Sequence, residues 1–385
     1  MIFLKRRAMM SRFHFNYKTV SGTGSLILDD CAETNFAQFR LLGNSAQGEN
    51  PTLENRQEIV SCGKLNADTG KYEVDVNVTG RNLIDIDALR NENGYMSGNY
   101  EKSRDIDHFN IVKGKRYLLI TKGKPLVAGD YSSVYFGDET LKYGANNIDW
   151  LATAVGYTSF TSDLKQNRVI LTAKKTATIT KMILHGRANT RKDDYDVEEF
   201  GLFEILEDNT NIDYEPYKEQ QSVQIKLDEQ LRGIGQYKDV ITKDGIVRNI
   251  LQVRIADYLQ NNIYGEPGKK YLMVSTPNAL MKYDRKRCMS NVGFTKNGED
   301  ILYIPVVYES NIKLNVSDDD TVETIREKVK DVVVAYTVKE PILEALPTEL
   351  ELALSNLYTN DGSTIISVDS GNVQAGIEVE YAIKN

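Results

Sequence analysis

The stretch Asp213-Tyr214-Glu215-Pro216-Tyr217-Lys218, with the segment running on to Gly245, decides how the rest of the chain divides. Before it, Phe200 to Glu207 reads as a buried strand. After it, Val223, Ile225 and Leu227 alternate with Ser222, Gln224 and Lys226, the period of a half-buried strand. Pro216 cannot donate to a sheet ladder, and it drives Glu215 toward an extended conformation. A stiff crossing between folded units follows, with a tyrosine on either side to pin it. Tyr214, Pro216 and Tyr217 are therefore the candidate domain-junction residues.

Working outward, Phe13, Phe15 and Tyr17 alternate with polar residues, and Gly22 and Gly24 turn the chain before Leu26 to Leu28. A Gly/Asn/Pro turn region at residues 43–55 separates two further strands, and Tyr72, Val74, Val76 and Val78 form an amphipathic one. From Gly80 to Glu207, strand-like runs at 109–112, 116–121, 133–136, 151–155, 168–172, 176–184 and 200–206 are divided by glycine and asparagine turns. That spacing predicts an all-β sandwich. Beyond Ser222, two short helices are predicted among strands. Ser317 to Thr321 caps a run in which Val322, Ile325 and Val329 share a face. Pro347-Thr348 opens a run presenting Leu350, Leu354 and Leu357. Ile377, Val379, Tyr381 and Ile383 alternate in a last strand. The expected fold class is mainly β, with an N-terminal β-rich region (1–79), a central sandwich (80–217) and a small C-terminal β-rich α+β domain (218–385).

A chain of 385 residues with formal net charge −8 has no basic field to meet nucleic-acid phosphates. Cys31, Cys62 and Cys288 are odd in number and lack metal spacing, which fits thiols in a reducing compartment. Lys5-Arg6-Arg7 has no apolar run behind it, so a short disordered or partner-docking arm is expected and no signal peptide. Nothing later is long and apolar enough to insert in a membrane.

No catalytic constellation stands out. His14, His108 and His185 are the only histidines; two fall in strand patterns, and His108 sits in a charged turn. No nucleophile elbow or zinc motif accompanies them. Carboxylates are abundant, but their pairing in space is invisible in a sequence, so a polysaccharide-degrading enzyme stays open as an alternative. Asp193 to Glu199 packs five acids into seven residues and reads as a solvated loop between strands. A calcium loop would need a glycine and a closing glutamate that are absent. Sugar binding is the remaining chemistry. Tyr131, Tyr135, Tyr143, Trp150 and Tyr157 are interleaved with Asn146, Asn147 and Asp149, and saccharide rings stack on exposed aromatic faces while amides bind their hydroxyls. The alternative is that these rings fill the sandwich core or a subunit interface. No metal or cofactor is implied.

Several of these segments also resemble a family. Gly43-Asn44-Ser45-Ala46-Gln47 with its Pro51 loop, Gly80-Arg81-Asn82-Leu83, Ile212 to Tyr217 followed by Leu231 to Gly235 and Lys243-Asp244-Gly245, and the Ile377 to Tyr381 tail occur in an order similar to that of tail-fibre, baseplate and minor structural proteins of phages and prophages of Gram-positive bacteria. The second proline usual in the first loop is missing. The resemblance implies that the central sandwich is a jelly roll like a carbohydrate-binding module. It implies a non-enzymatic virion protein, assembled in the host cytoplasm as a homotrimer, that docks to other tail or baseplate proteins and presents host cell-wall glycan recognition. A head-attached decoration fibre is a further placement.

Overall fold

The computed structural model describes residues 14–20, 25–36, 38–99, 103–126, 133–141, 151–152, 164–185, 192–205, 210–279, 287–293, 302–303 and 311–384. The described chain is mainly β with two α-helices. It divides into two compact units. The smaller comprises residues 79–220 with 360–364, and the larger comprises 1–78, 221–359 and 365–385.

Among the described residues of the smaller unit, eight strands follow in chain order: β1 (Met96–Asn99), β2 (Arg104–Ile111), β3 (Arg116–Pro125), β4 (Ser133–Gly137), β5 (Leu151–Ala152), β6 (Asn167–Thr172), β7 (Ala177–His185) and β8 (Lys192–Glu204). They form two antiparallel sheets with orders β6-β3-β8-β1 and β2-β7-β4-β5. Tyr117, Leu119, Phe200 and Leu202 of one sheet share a core with Phe109, Ile111, Val134 and Phe136 of the other. Alternation puts those side chains inward, and each buried one contributes about 2 kcal/mol. The two sheets therefore face each other as a sandwich.

The stretch Asp213 to Lys218 lies within this unit and packs over the outside of the first sheet. Ile212 and Tyr214 cover Leu118, Ile120 and Phe203. The Tyr214 ring meets Phe203 edge-on, with centroids 6.3 Å apart. Arg168 Nη2 donates to the Ile212 carbonyl at 2.6 Å. Asp193 to Glu199, expected as a loop, is instead the first half of β8. Tyr195 and Val197 point into the core. Lys122 of β3 pairs with Glu198 at 2.5 Å and Lys124 with Asp196 at 3.7 Å. Cross-strand lysines make a strand of a run whose acidity alone suggests a loop. His108, expected in a turn, is an exposed residue of β2.

In the larger unit the expected first and third segments come together in one sheet. Its order is Gln221–Leu227, Tyr72–Gly80, Gly362–Asp369, Ser25–Cys31, Gly376–Ile383, Gln38–Leu42, Val240–Thr242, Gly245–Arg254, Val333–Glu344 and Cys288–Ser290. His14–Val20 also pairs with Gly376–Ile383, from His14 opposite Ile383 to Val20 opposite Ile377. The division into 1–79 and 218–385 thus gives way to one unit, because the two termini are neighbouring strands. Val74, Val76, Val78, Ile225, Ile377 and Val379 supply its core.

Helix α1 (Val322–Lys328) starts at Thr321, whose side chain accepts from the Thr324 N–H in a capping box, and it buries Ile325. Helix α2 (Thr348–Ser355) buries Leu350 and Leu354.

Two glycine motifs meet in this unit. A Cβ on Gly43 would lie 2.4 Å from the Arg232 carbonyl oxygen, and one on Gly233 would lie 2.5 Å from that of Gly43. Both positions require glycine because backbone fills the space. Beside them Asp239 is fully buried. Its carboxylate accepts from the backbone N–H groups of Arg232 at 2.9 Å, Asn249 at 2.8 Å and Ile250 at 3.0 Å. Arg248 Nη1 stands 3.4 Å away, and its Nε donates to Glu344 at 3.1 Å. Thr242 and Gly245 close a two-residue turn at Lys243-Asp244, the hairpin that carries Arg248.

Candidate functional site

Of the five aromatic residues proposed for sugar contact, Tyr135 is described, while Tyr131, Tyr143, Trp150 and Tyr157 lie outside the described residues. Val134 and Phe136 are buried in the sandwich core, so alternation turns Tyr135 to the other face of the β2-β7-β4-β5 sheet. There it is partly exposed, opposite Ile183 on one neighbour and Ala152 on the other.

Register builds the rest of this face. Lys181 lies opposite Gly137 and Asp105, diagonal to Tyr135. Its ammonium pairs with Asp105 and, at 3.2 Å, with Glu139 Oε2. Thr180 donates to the other Glu139 oxygen at 3.3 Å. Hydrogen bonds that Lys181 donates to Asp105 and Glu139 raise its pKa, and Lys181 in turn holds the Asp105 carboxyl below its ordinary value. The face thus places an ammonium and two carboxylates beside an aromatic ring. Such groups can hydrogen-bond neutral hydroxyls while the ring takes an apolar sugar face. Lys181, Asp105 and Glu139 were missed in the sequence because no short spacing joins them. Only the pairing of β2, β7 and β4 brings them to one place.

The junction candidates have defined partners inside the smaller unit. Tyr214 meets Phe203 edge-on, as above, and burial raises its phenol pKa. Pro216 is exposed. Tyr217 is raised further, by burial and by its hydrogen bond to the Asp107 carboxylate on β2. Between them, Glu215 accepts from the Ser363 N–H at 3.1 Å and the Ser363 hydroxyl at 2.7 Å. Asn82 donates to the Glu215 carbonyl at 3.1 Å. A Cβ on Gly80 would come within 2.9 Å of the Lys218 side chain. The Gly80-to-Leu83 and Tyr214-to-Tyr217 motifs are therefore in contact. Gln220 is the last residue of this unit before the chain enters the larger one.

No family model, curated protein or solved structure matches the chain.

Among the described residues, no group of three histidine, cysteine or carboxylate side chains is arranged to hold a metal ion. All three cysteines are buried thiols. Burial pushes Cys62 up to about 11, so its thiol is held in the protonated, unreactive form at neutral pH. No helix among the described residues is long and apolar enough to cross a membrane.

Proposed function

We propose that this chain is a non-enzymatic structural protein of a bacteriophage particle, of the tail fibre, tail tip or baseplate, contributing to recognition of host cell-surface glycan. The observation that carries this reading is the strand order of the smaller unit. The sheet orders β1-β8-β3-β6 and β2-β7-β4-β5 support reading this sandwich as a jelly roll, an architecture used in viral and lectin domains. The motifs behind the family resemblance support it further. Gly43 packs against Gly233, and Asn82 bonds to Glu215, so each motif has a partner motif that explains its residue types. The role of the smaller unit would be to present the Tyr135 and Lys181 face, and the larger unit would serve assembly into a homotrimer with other tail or baseplate proteins.

The test combines placement with binding. Antibody raised to the purified chain is applied to phage particles, and the chain is sedimented with cell walls of Gram-positive bacteria. Labelling at the distal end of the tail is expected, with wall binding reduced by Tyr135→Ala at unchanged melting temperature. Labelling of the head would move the protein to a decoration fibre. Release of new reducing ends from wall polysaccharide would replace the binding role with a degrading one.

A further inference from the structure

A second aromatic face lies on the larger unit, in a four-stranded sheet ordered Leu259–Tyr264, Tyr271–Ser275, Asn311–Asn315 and Leu302–Tyr303. Leu272, Val274, Ile312 and Leu314 point inward against α1 and the larger unit's strands. Alternation sends Tyr271, Met273, Ser275, Lys313 and Asn315 to the opposite side. Tyr264 lies opposite Tyr271, and Tyr271 opposite Asn315. The two tyrosine rings are stacked, with centroids 5.8 Å apart and planes 24° from parallel. Lys313 Nζ sits 3.5 Å from the Tyr271 ring centre. The ring series is thus ammonium, Tyr271, Tyr264, and Tyr264 is 38% exposed. Gln260 donates to the Ser275 hydroxyl at 2.8 Å, which puts that amide on the same face. Asn261 and Asn262 are exposed beside it.

The platform is held in advance of any ligand. The turn between the tyrosines runs through Gly265 and Gly268, both at positive φ. The Gly268 N–H is 2.9 Å from both Asp318 carboxylate oxygens, and Lys270 donates to the Asp318 carbonyl at 2.9 Å. A hairpin clamped at its turn loses little conformational freedom when something docks on its rings.

We infer that this face is a saccharide-binding site in which a neutral pyranose ring of an oligosaccharide stacks on Tyr264, with Lys313 fixing Tyr271 behind it and the exposed Asn262 of the same edge strand bonding sugar hydroxyls. The chemistry selects a sugar over a protein partner. A site formed by two rings fits a small ligand, whereas a stable protein interface needs roughly 800 Å² per partner. Flat aromatic faces rimmed by amide donors and acceptors do suit a ligand with one apolar face and a ring of hydroxyls. The inference uses a different sheet from the Tyr135 face and does not depend on the chain's place in a particle.

The full chain, its Tyr264→Ala variant and its Tyr135→Ala variant are titrated with chitohexaose, cellohexaose and glucosylated polyglycerol phosphate, with binding followed by tyrosine fluorescence and calorimetry. Saturable binding of at least one probe, weakened about tenfold or more by Tyr264→Ala at unchanged melting temperature, is the expected result. Absence of saturable binding of all three probes at millimolar concentration overturns the assignment. So does binding that Tyr135→Ala abolishes and Tyr264→Ala leaves intact, which would still support the smaller unit's role. A change of oligomeric state in Tyr264→Ala, seen by light scattering, would overturn it by making the face a contact between copies of the chain.

Discussion

Asn82 donates from Nδ2 to the carbonyl oxygen of Glu215 at 3.1 Å, joining residues 133 positions apart in the chain. The same side chain accepts at Oδ1 from the Ile84 N–H at 3.0 Å and the Leu202 N–H at 3.1 Å. Asn82 is only 2% exposed. One amide therefore fastens the entry of the smaller unit, its strand β8 and its closing stretch at a single point. An asparagine is required there because the site needs a donor and a double acceptor together in little space.

Asn82→Ala should destabilise the smaller unit by about 3 kcal/mol, since two buried N–H groups and a carbonyl lose their partner. Asn82→Asp keeps the acceptor oxygen and loses the donor, so a smaller loss is expected from it. Chemical denaturation of both variants measures the difference. Equal losses would mean that the acceptor contacts contribute nothing.

The glycine contact in the larger unit gives a second prediction. Gly43→Ala and Gly233→Ala each place a Cβ within 2.5 Å of backbone oxygen, so the strand segments must move apart. Each should cost about 2–3 kcal/mol, in the range of overpacked cores. The pair should cost less than the sum, because the displacement that accommodates one Cβ also makes room for the other. Thermal melts of the two single variants and the double variant test this, and full additivity would refute the shared displacement.

Much of this fold was legible because period-two alternation is local. Val223, Ile225 and Leu227 and the Ile377-to-Ile383 run were readable as strands, and Thr321 and Pro347 marked both helix starts. Which strand neighbours which is not a local property. Nothing in residues 14–20 announces pairing with 376–383, so one unit read as two segments. Composition misled at Asp193 to Glu199, where the lysines that neutralise the acids belong to β3. For the aromatic faces, Tyr135 was singled out among neighbours in sequence, whereas Tyr264 and Tyr271 were not. The signal for the latter was present in Gly265-Glu266-Pro267-Gly268, a turn whose hairpin register sets the two rings side by side.

The buried carboxylate of Asp239 yields a prediction whose sign can be worked out. Burial raises its pKa above the ordinary aspartate value, against the lowering by the Arg232 N–H and by Arg248. The folded chain therefore binds this proton at a higher pH than the unfolded chain, whose value is about 3.9. Below that value both states are protonated, and no ion is buried. As pH rises to the folded value, the native state holds more protons than the unfolded one, so this group's contribution to stability falls with increasing pH. Asp239→Asn removes the titration while also losing an acceptor for the Arg232, Asn249 and Ile250 N–H groups. The variant should be less stable throughout, with its deficit largest near about pH 4 and narrowing toward neutrality. Denaturant unfolding of both proteins across that range measures the deficit. A deficit that widens as pH rises would show that Arg248 and the three N–H groups outweigh desolvation and hold the carboxylate ionised in the core.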